Sequence, residues 1–533
     1  MRGIGPGRHL AATVRAPAAA LGLGILHALA FAPRDIWWLQ LGGVAGLVLL
    51  LGRATTAWRG AVLSFMFSLG WLCAGVWWLF ISLHRYGGLP AWMAVLAVLA
   101  LGAFLSSYLA AAGAAWVLLR RGRSPWAGAV LFAALWLLAE LARGVIFTGF
   151  PWLAAGYAHA DGPLAALAPW LGVYGIGAVA ALAAALLAAA LGRPGPGGLS
   201  RAGLAALALT LLLAPLLLPS EFSRASGRLE VALLQGNVPQ NEKFETTLQP
   251  EALAWSMHAL LDTGADLRIA PETAIPLLPE QWPEGDWERL RDTFSASGRG
   301  ATLVGVPLTR QRADGSIGYT NSALGFSATA RQLPEGFYRY DKQHLVPFGE
   351  FIPPGFRWFT ELMNIPLGDF DRGPLTAPSL VVHRRDGGSE RVGPNICYED
   401  LFGDELAARF GPDGDAPTIL ANLSNIAWFG DSVAIDQHLQ ISRLRTLELQ
   451  RPMIRATNTG ATVILDHRGQ VRHRLPPHTR GVLAGTVEGR EGITPFAWWA
   501  GRFGLWPLAL LALGLIACAT GLGGRGGHPG PAA

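Results

Sequence analysis

From about residue 17 to residue 219 the chain consists almost entirely of apolar segments separated by short loops. About 20 such residues in succession are needed to cross a bilayer as a helix. The pattern therefore predicts a polytopic α-helical membrane domain over residues 1–219. About seven spans are expected, at roughly 17–33, 36–52, 60–83, 89–119, 125–147, 163–191 and 202–219, the first two being short. An eighth is expected at 497–521, "AWWAGRFGLWPLALLALGLIACATG". Composition agrees: 51% of the residues are hydrophobic and 15% are charged, which excludes a soluble multidomain chain.

In a soluble chain a net charge of +5 would suggest nucleic acid as a partner, but here most N-terminal arginines sit between apolar segments and report topology. With the N-terminus cytoplasmic, the inside segments carry Arg2, Arg8, Arg15, Arg53, Arg59, Arg120, Arg121, Arg123, Arg193, Arg201 and Arg525. The outer short loops carry Arg34 and Arg85, with Arg143 at the edge of a span. This asymmetry places the large polar insert between the seventh and eighth spans on the outer face. The N-terminal arginines followed by an apolar run also resemble a signal peptide, but the further spans favour a retained anchor.

The insert, residues 228–490, has the grammar of an α/β domain. β-Branched runs recur at "LEVALLQGN" (229–237), "LRIAPET" (267–273), "ATLVGVPL" (301–308), "TILANLSN" (418–425) and "TVILDHRG" (462–469). Helical periodicity lies between them, most clearly over 435–452, where Leu439, Ile441, Leu444 and Leu447 share a face and Arg443, Arg445 and Glu448 occupy much of the rest. A layered sheet and helix fold is expected.

The chain has three cysteines. Cys73 and Cys518 lie in apolar stretches, where cysteine behaves as a small buried hydrophobe, so no disulfide partner is expected for Cys397. A thiol attacks as thiolate and needs a proton acceptor or a cationic neighbour. "IAPETAIP" presents Glu272 where an apolar strand hands over to a loop. "YRYDKQHLVPFGEFIP" presents Lys342 and, eight residues on, Glu350. "GPNICYED" supplies Cys397 with Glu399 two residues later. Each has an ordinary reading: a solvated strand-end carboxylate, a surface lysine, an inert core cysteine. Their joint arrival at the ends of apolar strands in one domain points to a catalytic set.

These residues resemble the Glu, Lys and Cys triad of the nitrilase superfamily. The flanking "QGNVPQ" (235–240), "HLVPFGEFIP" (344–353), "ICYED" (396–400), "AWFGDS" (427–432) and "RATNTG" (455–460) resemble one branch of it, the apolipoprotein N-acyltransferases. "GFPWLAAGYAHADGPLAALAPWLGVYG" (149–175) extends the likeness into the spans. The resemblance implies a nitrilase-like αββα sandwich carried by the membrane domain. It also implies a reaction: an acyl chain passes from the sn-1 position of a phospholipid, typically phosphatidylethanolamine, to the cysteine as a thioester. The chain then passes to the α-amino group of the diacylglyceryl-cysteine of an apolipoprotein. The setting implied is the bacterial inner membrane with the catalytic domain in the periplasm, in agreement with the arginine asymmetry.

By the same resemblance Glu272 is the general base, Cys397 the nucleophile, and Lys342 the group that stabilises the oxyanion, helped by a backbone N–H just after the cysteine. Glu350 is a second essential glutamate that orients Lys342 or the catalytic carboxylate. Asn321, Tyr398 and Glu399 are supporting residues, and packing or strand-end solvation is the alternative for Tyr398 and Glu399. Trp428 and Phe429, together with "FIPPGFRWF" (351–359), are expected in lid or membrane-dipping loops, with ordinary core packing the alternative for the two aromatics. Phe244 stands where the family often has Trp, and Ile426 where it commonly has Asp.

Glu140 and Arg143, three apart in the fifth expected span, can meet on one helical face, either as a structural ion pair or with Arg143 binding a lipid headgroup. The histidines show no metal-ligand spacing, no phosphate-binding glycine motif follows a strand, and no basic aromatic patch suggests nucleic acid, so neither cofactor nor metal is expected. Two rivals share much of the pattern: a membrane-tethered amidase or nitrilase-type hydrolase, and a non-catalytic lipoprotein-binding scaffold.

Overall fold

A computed structural model describes residues 6–192, 199–243, 249–296, 298–353, 355 and 369–521. The chain forms two compact units, one comprising residues 81–89 and 221–504 and the other the remaining described segments.

The first unit is helical: α1 (Pro6–Ala28), α2 (Trp37–Gly52), α3 (Ala57–Gly75), α4 (Ala91–Leu119), α5 (Pro125–Val145), α6 (Ala168–Leu191), α7 (Arg201–Leu213) and a terminal helix, Trp506–Gly521. Local chemistry sets several of the starts. Thr56, Ser124 and Ser200 each accept a backbone N–H of the first turn, and Pro125 occupies the first position of α5, where its missing N–H costs nothing.

Four helices are long and apolar enough to cross a membrane among the described residues: Ala57–Gly75, Ala91–Leu119, Pro125–Thr148 and Pro163–Leu191. The count of eight is not met on that criterion. α2 has 16 residues, about 24 Å of helix, less than the ~30 Å hydrocarbon core, and Arg201–Leu217 is also short. The segment expected to span 60–83 ends at Gly75 and is followed by a π-turn, Ser82–Tyr86. The segment 497–521 is not one helix: it breaks at Gly504, φ 56°, between Pro495–Phe503 and Trp506–Gly521.

The buried charges of α5 form a closed cluster. Arg143 pairs with both Glu140 oxygens and donates to the carbonyls of Phe150 and Trp152, each at 2.8 Å, while the Ala155 N–H donates to Glu140 at 2.9 Å. The guanidinium is 3% exposed and lies over the Trp71 ring. Its donors are directed into the helical unit, as the structural ion-pair reading expects.

The second unit is an α/β sandwich. One six-stranded sheet has the order β12-β1-β2-β3-β4-β5 and the other β11-β10-β9-β8-β7-β6. The strands are β1 (Ser223–Gln235), β2 (Leu267–Ala270), β3 (Ala301–Gln311), β4 (Ile317–Phe326), β5 (Tyr338–Asp341), β6 (Leu380–His383), β7 (Ser389–Ile396), β8 (Ile419–Ser424), β9 (Met453–Thr457), β10 (Val463–Leu465), β11 (Val471–Arg474) and β12 (Gly481–Gly492). Period-two alternation sorts their side chains. Leu229, Val231, Leu267, Ile269 and Leu303 meet Ile396, Ile419, Ala421, Leu423 and Ile454 in the core between the sheets. Leu234, Ala270, Val304, Val306 and Phe326 face outward against Leu253, Met257 and Leu260 of α8 (Gln249–Asp262) and Leu290 and Phe294 of α9 (Asp286–Ser295). The expected layers of sheet and helix are therefore present, with β1–β2, β2–β3, β7–β8 and β8–β9 parallel.

Candidate active site

Three strand ends build the site. Glu272 follows β2 after Pro271, Lys342 follows β5 directly, and Cys397 follows β7 directly. Gly305 on β3 lets the Glu272 backbone approach: a Cβ there would lie 2.3 Å from the Pro271 oxygen and 2.7 Å from the Glu272 Cα. Lys342 is held in register by β4, its N–H donating to the Asn321 carbonyl at 2.8 Å.

The charged groups touch. Lys342 Nζ lies 3.3 Å from Glu272 Oε1 and 2.9 Å from Glu350 Oε1, and the ammonium is 1% exposed. Asn321 Nδ2 donates to the same two oxygens, at 2.8 Å and 2.6 Å, so one amide bridges both carboxylates. Glu272 Oε2 accepts the Asn425 N–H at 2.8 Å, and Glu350 Oε2 accepts the Val346 N–H at 2.7 Å. Burial alone would raise the Glu272 pKa. The Lys342 charge, the Asn321 amide, the Lys243 charge and the Asn425 N–H together hold it below the usual carboxylate range. Burial works against the Lys342 ammonium as well, but Glu350 and Glu272 raise its pKa above the ordinary lysine value. The Cys397 thiol is pushed up by burial and then by the negative charge of Glu272. The resting state is therefore a carboxylate, an ammonium and a protonated thiol.

Cys397 occupies a strained turn, with φ 51°, at the start of a 3-10 segment, Cys397–Leu401. A polar network sits behind it. The Cys397 carbonyl accepts from His438 Nε2 at 3.2 Å and from Asn422 Nδ2 at 3.3 Å. Arg455 Nη2 lies 3.0 Å from His438 Nδ1, and because a guanidinium only donates, Nδ1 is the acceptor and the proton resides on Nε2. That Nε2–H also meets Asp400 Oδ1 at 2.8 Å, and Arg455 pairs with Asp400 Oδ2 at 2.9 Å.

This site, at the edge of a two-sheet sandwich in a chain with apolar spans, can be set beside known proteins. Residues 23–186 match the family model for the apolipoprotein N-acyltransferase N-terminal domain, and residues 230–491 match that for carbon-nitrogen hydrolases. Among curated relatives, the apolipoprotein N-acyltransferase of Verminephrobacter eiseniae is 51% identical over 88% of this chain and 89% of its own. That of Ralstonia nicotianae is 47% identical over 90% and 89%, and that of Bordetella bronchiseptica 42% over 97% and 98%. The chain belongs to the apolipoprotein N-acyltransferase family.

The structure places the remaining candidate residues as follows. Glu350 and Asn321 are in the charged cluster. Glu399 lies beside Cys397 in sequence, but it accepts from Tyr340 Oη at 2.7 Å and from the N–H groups of Ile396, Gln343 and His344 at 2.6, 2.7 and 3.2 Å. It thereby ties the cysteine turn to the loop that follows Lys342. Tyr398 is buried against the rings of His344 and Phe402. Trp428 is 40% exposed, with its ring edge-on to Tyr86 at 5.9 Å, and Phe429 is half-buried. Ile426 is buried, so the departure there is an apolar contact. Phe244 and most of the 351–359 loop lie outside the described residues.

Several members of the site were not singled out from sequence: Asn425, Lys243, Asp400, His438 and Arg455. A signal for some lay in the family segments. Asn458 of "RATNTG" donates to the Val238 carbonyl at 2.7 Å and to Asn425 Oδ1 at 3.0 Å, and Asn425 Nδ2 donates to Gln240 of "QGNVPQ" at 2.8 Å. These segments meet in the fold, through the side-chain amides of Asn458 and Asn425.

Proposed function

We propose that the chain transfers a fatty acyl group from the sn-1 position of a phospholipid, phosphatidylethanolamine in the first instance, to the α-amino group of the diacylglyceryl-cysteine that begins an apolipoprotein. The observation that carries this reading is the buried Glu272–Lys342–Glu350 cluster beside the strained Cys397 turn, in a chain that also holds apolar spans.

Glu272, ionised at rest, takes the thiol proton as Cys397 Sγ attacks the ester carbonyl. Because its pKa is held low, that transfer is uphill, and the step proceeds when the Lys342 ammonium and an N–H of the cysteine turn stabilise the forming oxyanion. One such donor contributes about 3–4 kcal/mol in the transition state. Collapse breaks the ester C–O bond, the lysophospholipid oxygen takes the proton from Glu272, and a thioester remains. The acceptor amine then attacks the thioester and loses its proton to Glu272. The C–S bond breaks, and the thiol is re-formed with that proton. A thioester preserves acyl-transfer potential while the lysophospholipid leaves, which permits this ping-pong order.

The same reading places residues 1–219 and 497–521 in the bacterial inner membrane as about eight spans, with the shorter helices crossing beside the four long ones. It places residues 228–490 in the periplasm, supported by the arginine asymmetry.

The test is intact-mass analysis of the purified protein after incubation with phosphatidylethanolamine, beside Cys397→Ala. The expected result is a fatty-acyl increment that hydroxylamine removes, that Cys397→Ala lacks, and that a diacylglyceryl peptide with a free amine discharges. No adduct on folded protein, or release of the chain as free fatty acid in place of transfer to the amine, would overturn the reading; the second outcome would identify a hydrolase.

A further inference from the structure

The charge count at the active centre does not close with the triad. Glu272 and Glu350 both contact Lys342, so two carboxylates face one ammonium, while burial pushes the nearby Glu399 carboxyl up toward its neutral form. Arg455 does not make up the difference, because it is paired with Asp400. A surplus of buried negative charge is costly, and it opposes formation of a thiolate beside it.

Lys243 answers this deficit. It comes from the "QGNVPQNEK" segment, which is stitched over the site through Asn458 and Asn425. Its side chain is buried, and Nζ donates to the main-chain carbonyl of Glu272 at 3.1 Å. With Glu272 it lines a narrow cleft, whose other walls include Val238, Trp255, Pro276 and Asn458.

We propose that Lys243 is a positioning residue of the acyl-transfer reaction: its ammonium, seated on the Glu272 backbone, is the second cation of the centre and favours the Cys397 thiolate during attack. The inference rests on the acyl-transfer reading above. Glu272, and Cys397 once it is a thiolate, act on Lys243 and support its charge, and Glu242 is its neighbour on the same segment. Burial pulls the Lys243 pKa down to about 8, whereas Lys342, clasped by two carboxylates, is raised. Of the two lysines, Lys243 is therefore the one that loses its proton as pH rises just above neutrality. Acylation should fall as it does so.

The experiment measures the rate of Cys397 acylation from phosphatidylethanolamine by intact mass between pH 6 and 10. It also measures alkylation of Cys397 by iodoacetamide at pH 7, a readout that needs no lipid. Wild type is compared with Lys243→Met and Lys243→Arg. Lys243→Met is expected to slow both reactions by about tenfold or more, the effect of removing one buried charge. Lys243→Arg, which stays charged across this range, is expected to keep wild-type rates at pH 7 and to carry the alkaline fall to higher pH. A merely structural lysine predicts no such displacement. Wild-type rates in Lys243→Met, or an unmoved alkaline fall in Lys243→Arg, would overturn the proposal. If Lys243→Met does not fold, Lys243→Arg decides. If wild type forms no acyl adduct, the acyl-transfer reading fails, and the alkylation rates decide for Lys243 alone: slow in Met and preserved in Arg supports it, and any other pattern rejects it.

Discussion

Replacing Asn321 with leucine removes one amide that serves two buried carboxylates at once. In the native site Nδ2 donates to Glu272 at 2.8 Å and to Glu350 at 2.6 Å. A hydrogen bond to a charged group is worth about 1.5–3 kcal/mol, and about 1.4 kcal/mol corresponds to one pH unit in the position of a titration. Leucine has the branched outline of asparagine without its polar atoms and, being larger, leaves little room for a replacement water. Glu272 keeps Lys342 and the Asn425 N–H but loses the amide that helps hold its pKa low. The sign follows. A base with a depressed pKa is active above that pKa and fails as pH falls through it, so raising the pKa moves the failure to higher pH. In Asn321→Leu the acid limb of the acylation rate should therefore move up by about one pH unit or more, the lower end of that conversion. The assay is intact-mass detection of the Cys397 acyl adduct from pH 4 to 8, with folding checked by tryptophan fluorescence. An acid limb unchanged in folded Asn321→Leu would refute the claim that this amide keeps Glu272 ionised. Asn321→Asp, which sets a third carboxylate between the two, should lose acylation at neutral pH altogether.

Gly305→Ala should abolish acylation while the sandwich still folds, because the new Cβ collides with the Pro271 oxygen and displaces Glu272; a preserved rate would show that the β2 end has room to yield. His438→Ala removes a donor from the Cys397 carbonyl and is expected to cost about 1–3 kcal/mol of stability, read as a lower Tm, together with slower acylation. Arg143→Ala strands Glu140 in the helical unit and should destabilise the protein by about 3–5 kcal/mol, while the protein that does fold turns over phospholipid normally; selective loss of turnover would favour the headgroup role.

Much of the helical unit was legible because hydrophobicity along a helix is a local property. Ala91–Leu119 and Pro125–Val145 fall close to the runs expected at 89–119 and 125–147. The ends were less legible where backbone geometry intervenes: Gly504 breaks the last apolar stretch, although its sequence reads as continuous. The segment 435–452 carried the opposite lesson. Its leucines marked α10 (Ala434–Leu449), but the charged face is buried too, with Arg445 paired to Glu448 at 2.8 Å and both side chains 0% exposed. Periodicity identifies a helix with an apolar stripe and says nothing about polar partners waiting on the other side.

By itself the sequence determined that the chain has apolar segments able to enter a bilayer, that an α/β insert separates the last from the rest, and that Glu272, Lys342 and Cys397 stand at strand ends in family-specific text. Only the tertiary structure decided which groups set their protonation. Lys342 is 70 residues from Glu272, and Asn425, whose N–H completes the Glu272 shell, is 153 away. The physical reason is that a thiol or carboxylate takes its pKa from burial and from the charges and donors within a few ångströms. Those neighbours are assembled by sheet order, which brings the ends of β2, β5, β7 and β8 and the middle of β4 to one centre.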